Sequence, residues 1–555
     1  MITPTPELNA RLANREVEDM GRILLYDTTL RDGTQRRGIS LSIEDKIQVA
    51  GLLDQYGMDY IEGGWPASNP KDTAFFQAMR GRLRHAQLAA FGSTRRKDLR
   101  AEDDPSLRAI LEADVPVATL FGKASVFHAE RILGADLTEN LHMVEESVRF
   151  LAAHGLTVIF DAEHFFDGLA NGSEYPYQVV EAALAGGAAW LVLCDTNGGS
   201  LPSHVRAAVV ETARRFGAPI GIHAHNDAGL GVANSLEAVA GGAAMVQGTI
   251  NGYGERCGNA NLCTIWPNLV WKMGLQAGKM DQLGELTRLS RMVSEIANLA
   301  PDDGAPYVGE NAFTHKAGVH AGAVRKHPEA YEHVDPARVG QTRRILVSEL
   351  AGRSNLLYHF DDIHLEPQAA TELVERVKRL EAAGYQFEDA ESSMRLMVQR
   401  QVGSVPVYYA VDRFHVSVTH DLESICEATV RLRVGEIRRV EVGEGAGPVN
   451  ALDDAVRKAL TRIYPILDGL HLTDYKVRVL DGRDATAAAV RVWIRSEHGD
   501  QVIQTVGVSR NILVASWQAL LDAIDYLLWN QGVESRHGAD PVDLGRPAPD
   551  AAYTS

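Results

Sequence analysis

Cysteine is scarce: Cys194, Cys257, Cys263 and Cys426 are the only four in 555 residues. None forms a CxxC pair, so the sequence offers neither a disulfide framework nor a closed thiolate zinc site. A reducing cytoplasm is the expected compartment. Basic charge is also in deficit, 55 Lys and Arg against 73 Asp and Glu, for a formal net charge of −18. Such a surface repels phosphate backbones and argues against a nucleic-acid partner. No apolar run is read as a membrane span, and the opening "MITPTPELNARLANREVEDMG" lacks the apolar core of a signal peptide. No membrane partner is expected. With 45% hydrophobic and 23% charged residues the chain is of ordinary globular composition. Its length exceeds what one core usually serves, so two or three domains are expected.

Eight short β-prone runs occupy the first half: "ILLYDTTL" (23–30), "DYIEGGW" (59–65), "AQLAAFGS" (86–93), "PVATLFG" (116–122), "TVIFDAEH" (157–164), "WLVLCDTNGG" (190–199), "PIGIHAHND" (219–227) and "AMVQGTING" (244–252). Helical patterns such as "SIEDKIQVAGLLDQYG" and "SHVRAAVVETARRFG" fill the gaps, several ending in Gly as helix C-termini prefer. Strand and helix alternating eight times is the sequence form of a (β/α)8 TIM barrel. Polar residues gather where these runs end: Asp27, Arg31 and Asp32, then Glu62, Glu163, Asp195-Thr196-Asn197, His223 and His225, and Asn251. Barrel enzymes build their sites on that face.

Strand residues two apart point to one side, so His223 and His225 can share an ion. An isolated HxH is more often a hydrogen-bonded core pair. Here Asp32 stands at another strand end, and "GERCGNAN" (254–261) supplies Asn259 after the eighth run. One carboxylate, two imidazoles and an amide carbonyl make a mixed site for Mg²⁺, Mn²⁺ or Zn²⁺. Cys257 reads as a small apolar filler. For Arg31 and Glu163 two readings stay open on the residues alone: catalytic groups, or a structural ion-pair partner and an acceptor that orients a histidine.

The stretches "LYDTTLRDGTQ" (25–35), "GIHAHNDAGLGVANSL" (221–236) and "NGYGERCGNANL" (251–262) resemble the signatures of the DRE-TIM metallolyases, in their Claisen-condensing branch of 2-isopropylmalate, homocitrate and citramalate synthases. The similarity runs from about residue 22 to 530. "YIEGGWPASNPKD", "DAEHFFDG", "LCDTNGG" and "NAFTHKAGVHAGAV" resemble the citramalate members. Isopropylmalate synthases typically carry "EVGFP" and "HQDG" where this chain has "EGGWP" and "HAGA". The chain departs from the family's commoner DGEQ with DGTQ. The resemblance implies a metal-dependent acyltransferase joining acetyl-CoA to pyruvate, a homodimer, and a role in isoleucine biosynthesis. It implies Asp32, His223, His225 and Asn259 as metal ligands, Arg31 on the keto oxygen and Thr196 on the carboxylate. Glu163 and His320 would be the proton-removing pair, supported by Tyr331. His320 lies beyond the barrel, where it can instead cap a helix, and His315 is a competing base. Rivals are an isopropylmalate or homocitrate synthase, a 3-hydroxy-3-methylglutaryl-CoA-type lyase and a non-catalytic amino-acid sensor. A 2-oxoglutarate enzyme needs a further cation, for which Arg95, Arg96 and Lys123 are the candidates.

Residues 281–400 read as mostly helical, with 307–331 bringing His320 and Tyr331 to a neighbouring barrel in a dimer. The last third alternates. "ATVRLRV" (428–434) parallels "AAVRVWI" (488–494), and "VGEGAGPVNAL" parallels "VGVSRNIL", which reads as two β-β-β-α units. The expected layout is an N-terminal arm (1–22), the catalytic barrel (23–285), helical linker subdomains (286–400), an α+β regulatory domain (401–530) and a disordered tail (531–555). The family resemblance implies an isoleucine effector in the regulatory domain.

Overall fold

All eight apolar runs are strands, and each is parallel to its neighbours. They are β1 (Arg22–Asp27), β2 (Tyr60–Gly64), β3 (Gln87–Ser93), β4 (Val117–Lys123), β5 (Thr157–Glu163), β6 (Trp190–Asp195), β7 (Ile220–Ala224) and β8 (Met245–Gly248). The computed structural model describes residues 21–66, 68–170, 172–316, 320, 323–324, 326–345, 363, 366–419, 425–480 and 488–537. Residues 1–20 of the expected arm and 538–555 of the expected tail lie outside the described residues. The order β2 to β8 is sequential, and β1 pairs with both β8 and β2, which closes the barrel. A short β9 (Gln276–Ala277) adds to the start of β1 through Arg22 and Ile23.

Local chemistry sets the helix boundaries. Ser42 and Asp45 form a reciprocal capping box before Ile43–Tyr56, and Gly57 ends that helix in the left-handed region. Proline opens Pro70–Met79 and Pro105–Glu112 behind the caps Asn69 and Asp104. Tyr26, Tyr60, Ala89, Val117, Ile159, Val192 and Met245 fill the barrel's interior. The larger core lies between strands and helices. Strand alternation sends one residue in and the next out, and the inward residues nearest the C-terminal ends are the polar ones.

The chain divides into two compact units. One runs to Phe313 and includes Val334–Arg343; the other is Thr314–His333 with the residues from Arg344 onward. The expectation of helix through most of 281–400 holds only in part. Leu286–Ile296, Pro367–Ala382 and Glu391–Gln401 are helices. The described residues between Ala297 and Ile345 are mostly turns, with helical residues at 320, 323–324 and 326, two short 3-10 turns (Pro328–Ala330 and Pro336–Val339) and the two-residue strands β10 (Thr314–His315) and β11 (Arg344–Ile345). Proline and glycine punctuate that stretch and prevent a longer helix.

Within the second unit the repeat is explicit. Strands β12 (Ala410–Thr419), β13 (Ile425–Val434) and β14 (Ile437–Gly445) precede the helix Pro448–Thr461. Strands β15 (His471–Val479), β16 (Val490–His498) and β17 (Gln501–Ser509) precede Ile512–Asn530. In both halves the helix rests on the third strand at a glycine. A Cβ on Gly443 would lie 2.3 Å from Ala451 O, and one on Gly507 would lie 2.0 Å from Ala515 O. A larger residue would force helix and sheet apart, and such overpacking typically costs about 1–3 kcal/mol.

The sequence expectation of no membrane-length apolar run meets one exception. Ile512–Asn530 is long and apolar enough by length and composition to cross a membrane. Its apolar residues have another use: Trp517, Leu521, Ile524, Leu527 and Leu528 are buried in the core shared with the first half. A core helix that is covered on most sides reads as apolar all round.

Candidate active site

Asp32 follows β1, His223 lies on β7, and His225 follows one residue past that strand's end. The loop after β8 folds back so that Asn259 forms an antiparallel bridge with His225, and Asn226 N donates to Gly258 O at 2.9 Å. This return brings a fourth polar group, 34 residues downstream of His225, to the same spot. Asp32 Oδ2 is 3.4 Å from His223 Nε2 and 3.8 Å from His225 Nε2. Ligand atoms of all three residues lie within 4.8 Å of one another, and all three side chains are buried. These residues form a candidate site for a divalent ion.

Two orphaned atoms test the fit. Asp32 Oδ1 and Asn259 Oδ1 are buried without a hydrogen-bond partner. Asn259 Nδ2 donates to Tyr253 O at 3.2 Å, which leaves its carbonyl as the free end. Buried acceptors without donors are rare and costly, and hard oxygen atoms beside two imidazoles suit a divalent cation. His223 Nδ1 is engaged by Gln247 Oε1 at 2.8 Å, and Gln247 Nε2 donates to Asp161 Oδ1 at 3.0 Å. That chain fixes the ring and leaves Nε2 for a ligand.

The charges follow from burial and proximity. Burial would raise the Asp32 carboxyl, but Arg31 and the two histidines outweigh it and hold it well below the usual range. Burial would lower His223, yet its bond to Asp32 keeps it raised. His225 is pushed down to about 3 by burial and by His223. A cation bound at Nε2 would need both rings neutral, so it would displace the proton that Asp32 favours on His223. Asp161 is pushed up to about 7, chiefly by burial.

Arg31 is fixed from two sides. Its Nε donates to Glu62 Oε1 at 2.6 Å, and its guanidinium carbon sits 3.7 Å from the Phe91 ring centroid. Glu62 is fully buried and also accepts from Tyr26 Oη at 2.7 Å. Burial would lower the Arg31 pKa, but Glu62 and Asp32 raise it, so the charge is permanent. Thr196 Oγ1 accepts from His164 N at 2.9 Å, which leaves its own hydrogen to donate elsewhere. Arg256, which the sequence reading did not single out, donates to Thr196 O at 2.7 Å and to Asp227 Oδ1 at 2.8 Å. Its Nη2 also lies 2.9 Å from His225 Nδ1.

Arg31, Asp32, Glu163, Thr196, His223 and His225 line one cavity of about 230 Å³ with Trp65, Phe91 and Phe121. The three aromatic rings touch one another at centroid distances of 5.2–5.8 Å. His320 and Tyr331 belong to the second unit, exposed, with ring centroids 4.3 Å apart. His315 is paired with the buried Glu332 at 3.1 Å. Asn251 turns to Ser290 O and Ser294 Oγ, and Asp195 to Ser200 and Asn234. Arg95 is held by Glu139 and Glu146. Gln247, a lone polar residue in "AMVQG", carried a readable signal. Glu62 was visible as a strand end without a partner to give it a role.

Comparison with known proteins gives three family matches along the chain. Residues 22–293 match the HMGL-like family, 307–384 the homocitrate synthase post-HMGL domain-like family, and 388–528 the LeuA allosteric (dimerisation) domain. An (R)-citramalate synthase of Aquifex aeolicus is 48% identical over 516 residues, covering 91% of this chain and 98% of that protein. One of Synechocystis sp. is 48% identical over 523 residues, covering 90% and 95%. One of Geobacter sulfurreducens is 46% identical over 517 residues, covering 92% and 98%.

Proposed function

The chain belongs to the (R)-citramalate synthase family, and from that premise we propose that it condenses acetyl-CoA with pyruvate and water to give (R)-citramalate and CoA. The observation that carries this reading is the convergence of Asp32, His223, His225 and Asn259 with a fixed Arg31 around one small cavity. A divalent cation (Mn²⁺, Mg²⁺ or Zn²⁺) held by those four residues would supply Lewis-acid polarisation of the keto group. Arg31 faces the keto oxygen and answers the negative charge that grows on it; Glu62 and Phe91 hold it there before the reaction begins. Thr196 donates its free hydroxyl hydrogen to the carboxylate. Glu163 takes a proton from the acetyl methyl group, and His320 and Tyr331 are its proposed partners in that step. The methyl carbon then bonds to C2 of pyruvate, and water cleaves the thioester to release CoA.

We assign the choice of pyruvate over larger 2-oxo acids to Trp65, Phe91 and Phe121, whose packed rings form one wall of the cavity. The second unit is the regulatory part of a homodimer. A cavity of about 550 Å³, lined by Asn450, Asp453, Arg457, Leu467, Leu470 and Tyr475, lies where its two halves meet. We assign isoleucine to it: Asp453 and Arg457, ion-paired with each other at 2.8 Å, are the charged pair that an amino acid's ammonium and carboxylate would engage, beside an apolar wall. The enzyme works in the cytoplasm, as part of isoleucine biosynthesis.

The test is CoA release from acetyl-CoA with pyruvate, 2-oxobutyrate, 2-oxoisovalerate and 2-oxoglutarate, with and without divalent metal. Pyruvate should dominate and chelation should stop turnover. Preference for 2-oxoisovalerate would move the chain to isopropylmalate synthesis. Isoleucine should inhibit the same assay, and Asp453→Ala should remove the inhibition while turnover persists.

A further inference from the structure

Lys123 ends β4 and Glu163 ends β5, and the parallel register sets them opposite one another. Lys123 Nζ makes a direct ion pair with Glu163 Oε2. The two side chains are 19% and 22% exposed, so the pair is largely withdrawn from water. Lys123 is itself pinned. Its carbonyl accepts from Asn140 Nδ2 at 2.9 Å, and its ammonium lies 5.4 Å from the Phe121 ring centroid. Glu163 lines the cavity, and its Oε1 has no partner among the described residues. One carboxylate oxygen is tied down and the other is left for the cavity.

We propose that Lys123 is the positioning residue for Glu163, fixing which of its carboxylate oxygens meets the acetyl methyl group. This rests on the reading of Glu163 as the base. With Oε2 held by Lys123, Oε1 is the oxygen left to face the cavity, and a base acts only when it lies close to the proton it takes. Other ionisable groups surround the pair: His128 after β4, stacked 3.5 Å from His164; Asp167, bonded to His164 at 2.7 Å; Asp161 on β5; and Arg31 beyond β1. Lys123 is the one in direct contact with Glu163.

The experiment compares wild type, Lys123→Met, Lys123→Arg and Glu163→Gln in two ways. Citramalate formation is followed as kcat/KM against pH. In parallel, the carboxyl carbon of Glu163 is titrated by NMR in glutamate-labelled protein, assigned by its absence in Glu163→Gln. Lys123→Met should move the acid limb of kcat/KM, and the NMR midpoint, upward by about 1–3 pH units, the effect of losing an opposite charge at this range. Lys123→Arg should restore most of it. An unchanged midpoint, or a loss of activity equal at every pH, overturns the proposal. Absence of citramalate formation by wild type overturns the parent reading instead, and the NMR titration still decides whether Lys123 governs Glu163.

Discussion

The barrel mouth buries charge, and the first sheet of the C-terminal repeat exposes apolar surface. At the mouth, Asp32, Glu62, Asp161, His223 and His225 are each no more than 5% exposed. On β13 and β14 the register places Ile425, Val440 and Val442 away from the helix Pro448–Thr461, and these are 44–54% exposed. The second sheet is bare only in part: Val477 and Val479 on β15 and Val502 on β17 are 41–53% exposed, while its edge strand β17 is engaged elsewhere along its length. Ser392 and Ser393 accept from the N–H groups of Gln504 and Val506 on its edge strand, and Trp493 and Val506 pack against the helices Pro367–Ala382 and Glu391–Gln401. Both departures from the rule of apolar inside and polar outside cost stability locally, and each therefore marks a partner. Buried charge suits an ion and a polar substrate; a bare apolar sheet face is a surface that the homodimer proposed above could cover.

Breaking the first side of this contrast should have the largest effect. His223→Ala and His225→Ala should each abolish citramalate formation and lose stoichiometric divalent metal by elemental analysis. The circular dichroism spectrum should stay near wild type. Near-normal turnover after chelation would remove these residues from the site. Next comes Arg31→Lys, which keeps the charge but loses the directed donors. It should lower kcat by roughly 10²–10³ with little change in KM for pyruvate. A change confined to KM would make Arg31 a binding residue only.

The other side is sharpened by Val440→Glu. Because Val440 makes little contact within its own chain, the fold should survive while sedimentation velocity shows the dimer shifting to monomer, by roughly a factor of 10–100 in dissociation constant. An unshifted dimer would place the interface elsewhere. The smallest effect concerns Asp27, fully buried, with Thr29 N at 2.8 Å and Thr29 Oγ1 at 2.9 Å. Burial pushes its carboxyl up to about 7. The folded chain then keeps a proton that the unfolded chain releases near pH 4. Its stabilising share is full below that pH and fades as pH rises through 7, at about 1.4 kcal/mol per pH unit. Urea midpoints of Asp27→Asn between pH 5 and 7 should lack that slope.

How far these features were legible depended on distance along the chain. The eight strands were readable because each is a local run with polar residues at its end. The histidine pair was readable because two residues on one strand share a side. The Lys123–Glu163 pair was not, since it depends on how two strands 40 residues apart align in register. The aromatic wall draws Trp65 from just past β2, Phe91 from β3 and Phe121 from β4, and no local pattern announces that they meet. The helix Ile512–Asn530 was readable as a helix, but its burial could not be separated from lipid exposure by composition alone. The Gly443 and Gly507 echo was visible in "VGEG" and "VGVS", yet its meaning needed the helix backbone above each one.

The strand β1 has a history that its finished surroundings conceal. Its edge partners, β8 and the two residues of β9, are made roughly 220–250 residues after it. At about 5–20 residues per second of synthesis, the first strand waits on the order of tens of seconds with one side unpaired. An open apolar edge of that kind recruits other chains. Arg22 at its start ion-pairs with Asp59, a contact available as soon as Asp59 has emerged and long before β8 is made. The last stretch of the barrel to emerge is therefore also the one that ends the first strand's exposure.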